Sequence, residues 1–274
     1  MKMNLKSFFV CAALSTVLFA CQKQDKAPVS NTGISSDVIS QIKAQGFSTE
    51  GIVAVNGGYV VENDIFLSQA DLSKALTSPT LRVGEEEQYH TTNLITGLPR
   101  VIKVSVTGLD PIWTVALDSA IARYNLLGMR LKFKRVATQV KSDIDVIGAD
   151  LGGGGVLGRS SGFPDIDGNT PDTITLNSRA GTFGSNPSVQ WLATILAHEM
   201  GHTIGFRHTD YANRNYSCGI SFPKNEGDAG VGAIWIPGTP TGPKDPNSWM
   251  LACTDGSNRP FNPNDVIALN FLYH

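Results

Sequence analysis

The chain has 274 residues, 41% hydrophobic and 17% charged, which suits one well-cored domain with extensions or two small ones. Its formal net charge of −2 argues against a nucleic-acid binder, since such proteins are usually basic. Twenty-eight glycines imply long irregular connections.

In chain order, Lys2 and Lys6 precede an uncharged apolar run from Phe8 to Ala20. That run is too short to span a membrane comfortably and suits the apolar core of a secretory signal. Leu18-Phe19-Ala20-Cys21 resembles a bacterial lipoprotein cleavage box, in which the cysteine becomes the lipidated first residue. Residues 1–20 are then a signal peptide, Cys21 the lipid anchor and 21–33 a disordered polar tether. The protein would sit at an outer membrane, a cell surface or in the periplasm. The alternative is an ordinary signal with an incidental cysteine. Cys11 leaves with the signal, so Cys218 and Cys253 remain as an even pair in an oxidising compartment. A disulfide between them is expected, against two buried free thiols.

Residues 34–88 read as a small separate unit. SSDVISQIKAQG has helical apolar spacing with Gly46 past its end. YVVENDIFL, from Tyr59 to Leu67, is strand-like, and SQADLSKAL is a helix capped by Ser68. GEEEQ at 84–88 reads as a connector.

From Tyr89 the pattern changes, and 89–274 is taken as one catalytic domain. RVIKVSVTG (100–108) alternates as a strand. WTVALDSAIARYNLLG (113–128) is an amphipathic helix stopped by Gly128. LKFKRVA, DIDVIGAD and DTITLN (172–177) are strands, and GVLGRSSGF suits an edge strand. A helix opens at Asn186-Pro187, and NPNDVIALNFLY is a capped C-terminal helix. This order makes an α+β layout.

Three of the five histidines fall in AHEMGHTIGFRHTD, residues 197–210. On a helix, His198 and His202 share a face, and Glu199 lies about 100° round it. Two imidazoles that hold zinc, with an adjacent carboxylate as general base, form the zincin arrangement. Zinc would bring the pKa of its water towards ~7, and Glu199 would take the proton as a carbonyl is attacked. A continued helix would carry His208 roughly 15 Å along the axis from His198, too far for one metal. Gly205 can adopt positive φ, end the helix and return His208 as third ligand.

HEMGHTIGFRH matches the metzincin pattern H-E-x-x-H-x-x-G-x-x-H. Its H-E-x-G-H start, the following Gly-Phe and the lipoprotein leader resemble the dual-action HEIGH metallopeptidases, the protease B-like enzymes. TTNLITG, ALDSAIARYN and the C-terminal helix extend the likeness over 34–274. The resemblance implies a metzincin-like zincin with a twisted mixed sheet, a long active-site helix, a Met-turn and a C-terminal helix. It implies a zinc endopeptidase acting on proteins or peptides, with one catalytic Zn2+. It also implies that Met250, in NSWMLAC, forms the Met-turn, with Cys253–Cys218 tying that turn to the loop after the zinc segment. Where some metzincins carry a tyrosine two residues after the methionine, this chain has Ala252; Tyr211 and Tyr216 are weak substitutes. Some members are kept latent by a pro-segment carboxylate on zinc, for which Glu62 and Asp64 are the candidates; otherwise they are a solvent-facing pair on a strand. Asp210 is a candidate partner of a ligand's N–H or of a new N-terminus, or simply a loop carboxylate. PDIDGNTPD (164–172) spaces acids as a Ca2+ loop does, though a turn explains it better. GGGG at 152–155 lacks the Lys-Ser/Thr of a phosphate loop. The peptide would lie extended along the edge strand near 155–162. Two rival readings stay open: a non-catalytic surface lipoprotein using the fold for binding, and a zinc hydrolase of a non-peptide amide or ester.

Overall fold

A computed structural model describes residues 33–45, 47–73, 88–219, 226, 232–240 and 245–274. The signal peptide, Cys21, the tether, Gly46, the end of the SQADLSKAL helix and most of GEEEQ lie outside the described residues.

The elements are α1 (Ser36–Ala44), β1 (Val53–Val55), β2 (Gly58–Val61), β3 (Ile65–Ser68), α2 (Gln69–Leu72), β4 (Tyr89–His90), β5 (Arg100–Thr107), α3 (Pro111–Leu126), β6 (Leu131–Arg135), β7 (Ile144–Ala149), β8 (Gly158–Ser160), β9 (Thr173–Asn177), α4 (Val189–Thr203), α5 (Asn215–Cys218), β10 (Ile234–Trp235) and α6 (Pro263–Tyr273). One mixed sheet runs β1-β2-β3-β8-β9-β7-β5-β6, and β4 pairs with β10. In the sheet, β6, β5, β7 and β9 are parallel, while β8 runs antiparallel to β9. This is the expected α+β fold with a mixed sheet.

Local chemistry explains the helices. Asp110 caps α3 and Pro111 opens it, two residues before the apolar periodicity begins. Ser188 caps α4 by accepting from Trp191 N, so Pro187 precedes the cap instead of following it and Asn186 is not the cap. Asn262 and Asp265 form a reciprocal capping box on α6. α3 lays Ala116, Leu117, Ala120 and Tyr124 against α4 and the sheet, in a core running from Ile95 to Tyr273. At its ends, Tyr124 Oη donates to the Ala197 carbonyl at 2.7 Å, and Tyr273 Oη donates to that of Ile204.

Residues before Ser73 have a separate core of Ile42, Phe47, Ile52, Val61, Ile65, Leu67 and Leu72. Here the strand expected over YVVENDIFL is a hairpin. Glu62, Asn63 and Asp64 form its turn, with Glu62 at φ 53° and Asn63 at φ 78°. Asparagine tolerates that left-handed backbone, so the local chemistry favours a turn over strand continuation. The β1–β3 meander joins the larger sheet through β3, which pairs with β8 at Ile65–Ser160. Ser160 N also donates to the Asp64 carbonyl at 3.1 Å. The hairpin turn is thereby inserted beside α4.

Candidate active site

α4 is buried almost continuously from Leu192 to Thr203 and carries His198, Glu199 and His202. It ends at Ile204, and Gly205 adopts φ +99°. A Cβ at Gly205 would also meet Leu94 Cδ2 at 2.7 Å, so both backbone and space demand glycine. The chain turns there and brings His208 back to the first two histidines, as the spacing required. The ring centroids of His198 and His202 are 4.8 Å apart, and that of His208 lies 5.2 Å and 4.8 Å from them.

Each ring is held from behind at Nδ1. His198 Nδ1 donates to the Trp249 carbonyl and His202 Nδ1 to that of Phe206, both at 2.9 Å. His208 Nδ1 donates to Glu226 Oε1. With Nδ1 donating outward, the three Nε2 atoms point inward, which is how metal-binding imidazoles are set by their outer partners. His198 Nε2 and His202 Nε2 lie 3.1 Å apart. Two ring nitrogens that close, beside the Asp64 carboxylate, can share one cation. Among the described residues, Asp64, His198, His202 and His208 offer ligand atoms within 4.8 Å of one another. This nitrogen-rich, buried donor set fits zinc.

The fourth member was a minor expectation. Asp64 Oδ2 sits 2.8 Å from His208 Nε2, 3.3 Å from His198 Nε2 and 3.6 Å from His202 Nε2. Its other oxygen, Oδ1, is buried without a hydrogen-bond partner. Burial opposes the Asp64 charge, but the three histidines overcome it and hold the carboxyl well below its usual range. Burial likewise opposes protonation of His208, yet Asp64 and Glu226 raise its pKa well above normal. His202 is pushed down to about 4, chiefly by burial.

Glu199 is 3% exposed, and its Oε2 has no partner. Burial, then the charge of Asp64, raises its carboxyl well above the ordinary range. Gly158 on β8 makes room for it: a Cβ there would stand 3.0 Å from Glu199 Oε1 and 3.2 Å from Leu176 Cδ2.

Met250 is fully buried beneath α4. A Cβ at Gly201 would meet Met250 Sδ at 2.5 Å, which explains the glycine of H-E-x-G-H by close approach. The same turn supplies the Trp249 carbonyl for His198, and Trp249 Nε1 donates to the Ala197 carbonyl at 3.2 Å. Cys218 and Cys253 are bonded. Asp210 completes this floor: Oδ1 accepts from Ala252 N at 2.9 Å, and Oδ2 from Ser217 Oγ at 2.6 Å. It therefore acts as a loop carboxylate beneath the turn that carries Met250, and Glu226 accepts the His208 N–H instead. Tyr211 packs on Tyr89 under Arg207. In the 164–172 loop, Asp165 Oδ1 accepts from Asp167 N and Asn169 N, as a turn-capping aspartate does.

Four contributors escaped sequence reasoning. Gly158 and Gly201 are read only through what a Cβ would strike, and the Trp249 carbonyl is backbone. Glu226 lies in a glycine-rich stretch with other acids nearby, and nothing local marks it.

The model of the dual-action HEIGH metallopeptidases matches residues 59–273. The chain belongs to that family. The matched region takes in the hairpin turn as well as the histidine segment. Among solved structures, two of myroilysin are similar at 19% and 18% identity, with TM-scores of 0.32 and 0.31. They cover 44% and 45% of this chain, which spans about half of theirs, 54% and 53%. High choriolytic enzyme 1, a hatching enzyme zinc-protease of the medaka Oryzias latipes, is similar at 15% identity and a TM-score of 0.36, over 63% of this chain and 88% of that one. No curated protein matches the chain.

Proposed function

We propose that this metallopeptidase-family protein is a zinc endopeptidase, exported, lipid-anchored at Cys21, and made as a latent precursor. Residues 34–88 are the inhibitory segment and 89–274 the catalytic unit. The observation that carries the reading is the Asp64 carboxylate among three inward Nε2 atoms, beside a buried carboxylate of different protonation tendency.

Zinc held by His198, His202 and His208 would act as a Lewis acid, polarising the scissile carbonyl and activating water. Glu199 accepts a proton from the attacking water and returns it to the leaving amine. Trp249, Phe206 and Glu226 keep the rings in register, and Met250 floors the site. β8 is the edge strand of the catalytic sheet, so an extended peptide can add to it once β3 departs. Until then β3 covers that edge, and Asp64 fills the space between the histidines. After burial, its charge also raises the Glu199 carboxyl, so less of that group stands ionised to accept a proton. A strand edge that β3 uncovers beside the histidines when it departs favours polypeptide over a small amide or ester. Buried Glu199 favours catalysis over adhesion.

The test uses zinc-loaded full chain, before and after proteolytic removal of residues preceding 88, with casein as substrate. Cleavage should appear after removal, vanish with chelator and return with zinc. Processed, zinc-loaded protein that leaves casein and a peptide library intact would reject the reading.

A further inference from the structure

Glu62 stands beside Asp64 in the hairpin turn, yet its side chain enters an adjoining recess and not the histidine cluster. There Arg207 Nη2 donates to Glu62 Oε2 at 2.9 Å, and Arg214 Nη2 donates to the Glu62 carbonyl at 3.2 Å. Glu226 lies on the far side, with Oε2 3.5 Å from Arg207 Nη2 and Oε1 3.1 Å from Arg214 Nε. The side chains of Glu62, Arg207 and Arg214 are 1% exposed, and that of Glu226 is fully buried. The Arg207 guanidinium lies 5.0 Å from the Tyr211 ring centre and 5.7 Å from that of Phe163.

Among the described residues, two guanidinium groups thus face two carboxylates, one of which belongs to the removable hairpin. Buried charges are tolerated when paired, and removing one partner is strongly destabilising. When the turn leaves, Arg207 and Arg214 face Glu226, which is also committed to His208. The recess then lacks the Glu62 carboxyl group that Arg207 holds at 2.9 Å. It shares a wall with the metal site, because Arg207 precedes His208 and Glu226 touches both. A peptide replacing the turn would place a side chain there, next to the bond being cut.

We propose that the Arg207–Arg214 recess is a substrate subsite selecting an acidic side chain, and that Glu62 occupies it as a built-in substrate mimic. The inference rests on the peptidase reading above. Planar Arg207 favours carboxylate, whose acceptors match its fork. A Gln or Asn amide offers one acceptor oxygen beside a donating NH2 and carries no charge, so it matches only half of that fork.

The test digests a peptide library with zinc-loaded full chain after residues preceding 88 have been removed. Glu and Asp should exceed Gln and Asn by about tenfold or more at one position flanking the cleaved bond, as loss of a charge-assisted hydrogen bond implies. Arg207→Lys should reduce that ratio severalfold. Cleavage without any acidic preference overturns the subsite and leaves the peptidase reading standing. Should no peptide be cut, the peptidase reading fails, and binding decides the recess. A labelled peptide of residues 58–68 and its Glu62→Gln counterpart are compared by fluorescence anisotropy on the same processed protein. Binding of the native peptide about tenfold tighter or more supports the acidic subsite, and equal affinities overturn it.

Discussion

The histidine segment and the hairpin turn meet at the same cluster, but they arrive by different routes. On the segment, two ligands come from one helical face and the third from a glycine turn six residues later. Its geometry follows from local backbone rules. In the hairpin, three consecutive residues diverge: Glu62 goes to Arg207, Asp64 to the histidines, and Asn63 carries the turn at φ 78°. Its function depends on which sheet edge the hairpin joins. In the proposed function, the first region builds the reactive site and the second supplies charges that oppose its use. On that proposal, catalytic power and restraint are encoded at different sequence distances.

The sharpest way to break the contrast is on the segment. His202→Ala should abolish both zinc content, read by elemental analysis, and peptidase activity. Full zinc occupancy in that variant would remove His202 from the ligand set. Glu199→Ala should retain zinc while kcat falls on the order of 10²- to 10⁴-fold, the usual worth of a general base. A processed Glu199→Ala protein with wild-type kcat would sink the assigned base. Glu226→Gln tests the support behind His208: zinc affinity should weaken about 10- to 100-fold, measured by competition with a chromogenic chelator. Unchanged affinity would make Glu226 a partner of the arginines only. Gly201→Ala, which crowds Met250, should lower stability by about 1–3 kcal/mol in denaturant melts, since overpacking is costly. Asp210→Asn should cost least, about 1–2 kcal/mol, because Ser217 and Ala252 keep part of their bonding.

The same contrast governs what could be read from sequence. β5, α3, β6, β7, β9, α4 and α6 carry periodicities long enough to be recognised. So do His198, Glu199, His202 and, through Gly205, His208. The α4 cap was displaced by two residues because Asn186-Pro187 and Ser188 both offer start chemistry. YVVENDIFL reads as one strand because valines and isoleucine flank the turn, and the hydrophobic pattern continues across Glu62–Asp64. Its Asn-Asp pair was the available signal for a break. Glu226 had none: an acid in a glycine-rich loop acquires meaning only when the fold sets it behind His208. Asp210 looked like a histidine partner by proximity, and Ser217 and Ala252 N captured it instead.

The central claim is that Asp64 restrains a site able to cut peptides. The most direct measurement compares cleavage of a quenched fluorescent peptide by three zinc-loaded full chains: native, Asp64→Ala, and Asp64→Ala with Glu199→Ala. The account predicts a nearly silent native chain, an Asp64→Ala chain at least about tenfold faster, as expected when a charge-assisted contact is lost, and a silent double variant. A native chain as active as Asp64→Ala would contradict the restraint. A double variant as active as Asp64→Ala would contradict the catalysis.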